Sequence, residues 1–464
     1  MIRMLDFRVF SRVSLRVVVA SLSWGITLSA AAQPNDAHPL QALISEAISQ
    51  RADSRIARLD QQIAATKVDQ ARAAQLPKLD FGLNNTVTSQ RDRFTGVTAT
   101  ADINGQPIRV DIESNRPRSV LSSDLQLTLP LYTGGRNTAN KAAAKAGLSA
   151  SAASARLTEQ AIAHAVARAW IAVHRANTNL SHGAKQLELL NEQLRLLTVR
   201  VQRGLSSQLE VDEVNSRRAE QQAGLAQSRA ERTHHWIRLC QERGLRLIAP
   251  EPDWTNFTRD TELNSALAAL GAYRLPGERQ ARQRYRINQA RQGVAAARSA
   301  YKPQLSLFAQ YGLIGRSRGT EWVPLDRVRA GDFLVGARLE WNWFSGFDTD
   351  AKTREQLAQL EAEQITADET AVNEQYERAL ADAAIAAAAA KLAALRAREP
   401  LLARQAQVVE AQIKGGRAGE TDQLRQQIEA QDLAEQISLA KMDLLQEQVN
   451  ALFPALLTTA VARD

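Results

Sequence analysis

Cysteine is nearly absent from this 464-residue chain, where Cys240 stands alone. A lone thiol excludes an internal disulfide, so the fold must hold together by packing, with Cys240 as a small buried filler. It also lies far from the amino terminus, which leaves no acceptor for lipid attachment there. Aromatic residues make up only 5%. Beyond the first few dozen residues, no segment has the 18 or more uninterrupted apolar residues of a membrane helix. If the chain spans a membrane, it must do so with strands.

Catalytic chemistry is equally sparse. His234-His235 lacks further ligands at metal spacing, His164 and His174 are ten apart, and no Ser/His/Asp or Cys/His arrangement has a motif around it. Gly415-Gly416-Arg417-Ala418-Gly419 has no Gly-Lys-Ser/Thr ending and no preceding strand, as a phosphate loop requires. Neither enzymatic activity nor a cofactor or metal is expected.

The chain opens on Arg3, Arg8, Arg12 and Arg16 around and before an apolar run that closes with Ala30-Ala31-Ala32. This predicts an export signal over 1–32, cleaved after Ala32. A membrane anchor is the rival, but the run is short and interrupted by Ser21, Ser23 and Thr27. Those four arginines and Asp6 carry +3 of the formal +8, leaving +5 with both signs interleaved. Such a pattern is a solvated helical surface, and no nucleic-acid partner is expected.

What is present is present twice. Leu76-Pro77 returns as Lys302-Pro303, Thr133-Gly134-Gly135 as Ser345-Gly346-Phe347, and Gly204 as Gly416, at offsets of 226, 212 and 212. A repeat of that length is too long for a solenoid and means two homologous halves. The 14-residue difference falls between the first two anchors and predicts a longer surface loop in the first half.

Each half carries two runs of period two. Leu79, Phe81 and Leu83 alternate with Asp80, Gly82 and Asn84; Leu125, Leu127, Leu129 and Leu131 with Asp124, Gln126 and Thr128. In the second half the apolar sets are Leu305 to Leu313 and Phe333 to Trp343, the latter including Trp341. These are the length and pattern of tilted transmembrane strands, although soluble hairpins packed on helices alternate too. Tyr132, Tyr301, Trp343 and Phe344 fall at one end as a candidate aromatic belt, with Trp322 and Phe333 towards the other. The connections 91–118, with Asn104-Gly105 at its middle, and 316–329 read as surface loops. Four strands cannot close a membrane barrel, so two, three or four copies are required, giving eight, twelve or sixteen strands.

No proline lies between 130 and 250, and 137–200 reads as one helix of about 95 Å. Leu187, Leu190, Leu194, Leu197 and Val201 step by three and four along it, as do Leu402, Ala406, Val409 and Ile413 in the second half and Leu433, Ile437, Ala440 and Leu444 after the turn. Long helices are therefore expected to pack side by side. Gly204 and Gly415-Gly416 end these patterns as tips of helical hairpins. Pro400 predicts a kink above the second tip.

The signal, the duplication, the proline-led strand pairs, the exit Leu129-Pro130-Leu131-Tyr132-Thr133-Gly134-Gly135-Arg136 and the tip Arg203-Gly204-Leu205-Ser206-Ser207-Gln208-Leu209-Glu210-Val211 together resemble the TolC family of outer-membrane export channels. The resemblance implies a mainly α fold with membrane β: an internally duplicated chain whose homotrimer joins a coiled-coil helical barrel to a 12-stranded outer-membrane barrel, four strands per protomer. The expected segments after the signal are a helix (33–77), a β-hairpin (78–131), a helical hairpin (132–244), a linker (245–264), a helix (265–302), a β-hairpin (303–344) and a helical hairpin (345–464). It implies a passive exit duct for type I secretion or small-molecule efflux, set in outer-membrane lipid and reaching through the periplasm. The implied partners are a periplasmic adaptor protein and an inner-membrane transporter, ABC or proton-driven. It places a periplasmic gate at Glu210, Glu420, Asp422 and Arg425, and adaptor or pump contacts at Arg203, Gly204, Leu205, Ser206, Gly415, Gly416 and Arg417. A diffusion porin and a coiled-coil adaptor without transport activity are the alternative readings. The second exit, Trp341-Asn342-Trp343-Phe344-Ser345-Gly346-Phe347, lacks the proline and paired glycines, so the halves are not expected to be equivalent there.

Overall fold

A computed structural model describes residues 39–87, 97–103, 106–112, 119–252, 260–317, 323 and 328–453. The predicted signal with its cleavage point, and Trp322, lie outside them.

Each half begins with two helices where one was expected. In the first they are α1 (Pro39–Gln50) and α2 (Ala52–Ala73), separated at Arg51; in the second, α5 (Asp260–Gly271) and α6 (Glu278–Arg298), separated across Pro276 and Gly277. Pro77 and Pro303 then end helix and start strand, because proline drives the residue before it out of helical geometry. The strands are β1 (Lys78–Val87), β4 (Ser119–Thr133), β5 (Gln304–Ser317) and β6 (Val328–Glu340). They form one antiparallel sheet in the order β1-β4-β5-β6, which leaves β1 and β6 as edges.

Between β1 and β4 the expected surface loop contains structure: β2 (Val97–Ile103) and β3 (Gln106–Ile112) pair as an antiparallel hairpin. They flank Asn104-Gly105, a dipeptide that favours two-residue hairpin turns and lies just outside the described residues. The second correction concerns β6, which ends at Glu340 instead of running through Trp343. Its last partner is Gln304, and the residue before that is Pro303, which has no N–H for the ladder. Two bulges interrupt the sheet, one at Leu131 and one opposite Gly312, where a Cβ on Gly331 would overlap the Gly312 carbonyl.

The exits from the two strand pairs are alike in backbone, contrary to expectation. Gly134 and Gly135 have φ of +65° and +92°, and Gly346 and Phe347 have +62° and +66°. Phe347 therefore holds a left-handed conformation that costs an L-residue roughly 1 kcal/mol. The caps match as well: Thr133 Oγ1 accepts from Asn137 N–H and Ser345 Oγ from Thr349 N–H, each at 3.2 Å.

Beyond them run the long helices. α3 (Arg136–Gln202) is a single helix of 67 residues, about 100 Å long. It packs on α2 and α6 towards the sheet and on α4 (Gln208–Glu242) and α9 (Glu420–Leu452) towards the tips. The second half divides its path into α7 (Asp348–Arg396) and α8 (Glu399–Lys414), with Pro400 in the first turn of α8, where its missing N–H costs nothing. The main core gathers Leu40 and Ile44 of α1, Ile162 to Val173 of α3, Trp236, Leu239 and Cys240 of α4, Leu270 of α5 and Val449 of α9. Of the expected seams, Leu190, Leu194, Leu197 and Val201 do pack, against Val211, Val214 and Ile428; Leu433, Ile437 and Ala440 pack against Leu392 and Leu402. The stripe along α8 is the exception. No residue of α8 is fully buried: against α9, Leu402, Val409 and Ile413 are half-buried and Ala406 is exposed.

Candidate functional site

The register gathers most of the large apolar residues of the four strands on one side of the sheet, with Phe308, Ile314 and Leu334 on the other. Leu79, Leu127, Ala309 and Val335 form one row, Phe81, Leu125, Tyr311 and Phe333 another, and Tyr132, Leu305 and Leu339 a third. Most of these side chains are exposed, Phe81 at 68% and Phe333 at 70%. So much contiguous exposed hydrocarbon has no place against water; it fits a lipid face. Rows on the other side read Asp80-Gln126-Gln310-Leu334, Gly82-Asp124-Gly312 and Ser306-Arg338. Lys78 pairs with Asp80 at 3.7 Å, and Arg338 sits 5.1 Å from the centre of the Phe308 ring.

Tyr132, Tyr301, Trp343 and Phe344 all lie at the helix-proximal end of the sheet, where Gln304 pairs with both Thr133 and Glu340. Trp341 joins them, edge to face with Trp343 at 5.3 Å and donating from Nε1 to the Tyr301 carbonyl at 3.1 Å; the Tyr301 hydroxyl in turn donates to Asp350. Phe333, expected towards the far end, stands in mid-strand opposite Tyr311.

At the opposite end of the helices the two tips are superimposable in hydrogen bonding. Leu205 N–H donates to the Arg200 carbonyl and Arg417 N–H to that of Gln412, each at 2.8 Å, around Gly204 at φ +69° and Gly416 at +70°. This closing turn needs a left-handed residue, which glycine supplies without strain. Gly415, by contrast, has φ −89° and is not conformationally required. Arg203, Leu205 and Arg417 are exposed and Ser206 half-buried.

Of the four gate candidates, Glu210 and Glu420 are exposed in the first turns of α4 and α9, while Asp422 caps a helix: its carboxylate accepts from Gly419 N–H at 3.0 Å. Arg425 is exposed one turn on and forms no ion pair among the described residues. The tips themselves are tied by a bond the sequence did not announce, Arg200 Nη1 donating to Thr421 Oγ1 at 2.9 Å. A second tie lies further up, where Asp443 of α9 meets both Arg175 of α3 and Lys391 of α7. Burial alone would raise the Asp443 carboxyl, but the Lys391 hydrogen bond and the Arg175 charge bring it below its usual range. Neither tie has a local motif, since its members are more than fifty residues apart; only three-helix packing brings them together.

In the main core His164 Nε2 lies 3.1 Å from Asn450 Oδ1. Burial lowers its pKa to about 4, so the ring is neutral near pH 7. Among the described residues no cluster of side chains fits a metal ion.

Residues 43–244 match the family model described as outer membrane efflux protein. No curated protein sequence matches the chain. Among solved structures, the outer membrane protein VceC of Vibrio cholerae aligns with 89% of this chain and 96% of its own at TM-score 0.67 and 17% identity. The open state of the MtrE outer membrane channel of Neisseria gonorrhoeae gives TM-score 0.68 at 16% identity over 90% and 88%, and the CmeC outer membrane channel of Campylobacter jejuni 0.64 at 14% over 89% and 85%. The match over 43–244 makes this part of the chain similar to the outer membrane efflux protein family, and along nearly its whole length the chain shares the fold of these outer-membrane channel structures.

Proposed function

We propose that the protein is the passive exit duct of a tripartite efflux system, acting as a homotrimer in which three four-stranded sheets join edge to edge as one 12-stranded barrel. The observation that carries this reading is the sheet itself: one apolar face, one mostly polar face and two unpaired edges, β1 and β6. Each backbone group left unpaired in lipid costs several kcal/mol, so such a sheet is stable in a membrane only when neighbouring copies complete it. The exposed stripes Ile56, Leu59 and Ile63 on α2 and Ile365, Val372, Tyr376 and Leu380 on α7 supply further surface for those copies. Helices near 100 Å then carry the duct across the periplasm, towards an adaptor and an energised inner-membrane transporter that meet the tips at Arg203 to Ser206 and Gly415 to Arg417. The transporter selects the cargo, a secreted protein or small molecules.

Glu210, Glu420, Asp422 and Arg425 ring the periplasmic mouth in this reading, with Arg200–Thr421 holding the tips together. In planar bilayers, Asp422→Ala with Arg425→Ala is expected to raise single-channel conductance; conductance unchanged from wild type would sink the gate. Co-purification of an adaptor and a pump tests the duct itself. A soluble monomer that binds neither would exclude it.

A further inference from the structure

We propose that Asp124, on the polar face of β4, sets the ion preference of the duct. The inference rests on the reading of that face as the lumen. Four carboxylates belong to the strands there: Asp80 pairs with Lys78 at 3.7 Å and Glu340 with Arg338 at 4.0 Å, while Asp332 lies at the β5–β6 bulge opposite Gly312. Asp124 has no ion pair among the described residues. Its row is also stripped of side chains, because its partners on β1 and β5 are Gly82 and Gly312. The carboxylate lies across Gly82, where a Cβ would come within 2.8 Å of Oδ1. Any larger residue at position 82 would displace it. Glycine on both flanks thus keeps the Asp124 charge uncovered near the middle of the strands, with Asp332 beyond Gly312 adding a second acid at that height. Arg316 and Arg329 sit further towards the loops, opposite Val120 and Ile314. By contrast Asp422, one of the three acids of the proposed mouth, is engaged as a helix cap. Threefold repetition would place three Asp124 carboxylates at one height, where cations are concentrated and anions excluded.

The test is the reversal potential of the purified trimer in planar bilayers under a KCl gradient. Asp124→Asn is expected to lower the K⁺/Cl⁻ permeability ratio roughly threefold, as expected for three screened charges about 10 Å from the axis, whereas Asp124→Glu keeps it. Asp124→Cys gives a second route, since the native Cys240 is buried. A negatively charged thiol reagent should restore the ratio of that variant, and a positively charged one should lower it further. A ratio unmoved by Asp124→Asn at wild-type conductance, or by both reagents on Asp124→Cys, overturns the proposal alone. Wild-type protein that forms no channels at all overturns the duct reading beneath it.

Discussion

In the first half α3 runs unbroken for 67 residues and its middle is enclosed by α1, α4, α5 and α9; in the second half the equivalent path is split at Pro400 into α7 and α8, and α8 buries no residue fully. The backbone turns that launch and end these paths are nonetheless the same, down to matching caps and closing bonds. Duplication has preserved the local geometry while the burial pattern has diverged. The middle of α3 is the most enclosed part of the chain, with α5 and α9 of the second half contributing to its core, whereas α8 exposes Leu401 and Val408.

That division is broken most sharply at Trp170, which is 1% exposed in the main core. Trp170→Ala should destabilise the protein by about 3–5 kcal/mol in thermal or denaturant unfolding. A loss below 1 kcal/mol would mean that the core is elsewhere. Next comes His164, whose pKa of about 4 lies below its unfolded value near 6.5. The unfolded chain binds the extra proton between those values, so stability is full above pH 6.5 and falls as pH drops towards 4. The loss expected is about 3 kcal/mol, and His164→Gln should flatten it in melts taken across that window. His182 and His235, lowered in the same direction by burial, add smaller slopes of the same sign.

A third test addresses the shared exits. Gly135→Phe gives the first half the residue of the second, and should cost roughly 1 kcal/mol because φ there is +92°. A much larger loss would show that Phe347 is accommodated by features the first half lacks. The smallest effect on the single chain belongs to α8. Leu401→Ser and Val408→Ser, at sites each 56% exposed, should change the stability of the isolated chain by less than about 0.5 kcal/mol. The same changes should lower the temperature at which the oligomer dissociates on a heated gel.

Most of the scaffold was legible because its signals are local. Proline before each strand pair, glycine at each tip and period-two runs between them each impose one conformation. The long α3 was readable from a proline-free interval with helical periodicity. What escaped was set by partners. Trp341 and Trp343 continue the alternation of β6 in sequence, yet the strand stops because Pro303 offers the ladder no donor. Phe347 gave no sign of its left-handed backbone, which the surrounding turn imposes. The stripe Leu402, Ala406, Val409 and Ile413 has a proper seam spacing, yet only Leu402, Val409 and Ile413 are half-buried and Ala406 stays exposed, since spacing does not say how completely a neighbouring helix covers it. At the site, Asp422 was legible as a helix-start acid, while Arg200–Thr421 and the Arg175–Asp443–Lys391 tie depend on helices distant in sequence.

The central claim is that two hairpins and the exposed apolar residues of α7 and α8 are completed by other copies of the same chain. Native mass measurement of the protein extracted from outer membranes in mild detergent tests it directly. Three chains per particle, collapsing to one on heating, is the predicted result; a particle of one chain that still conducts in bilayers would contradict it.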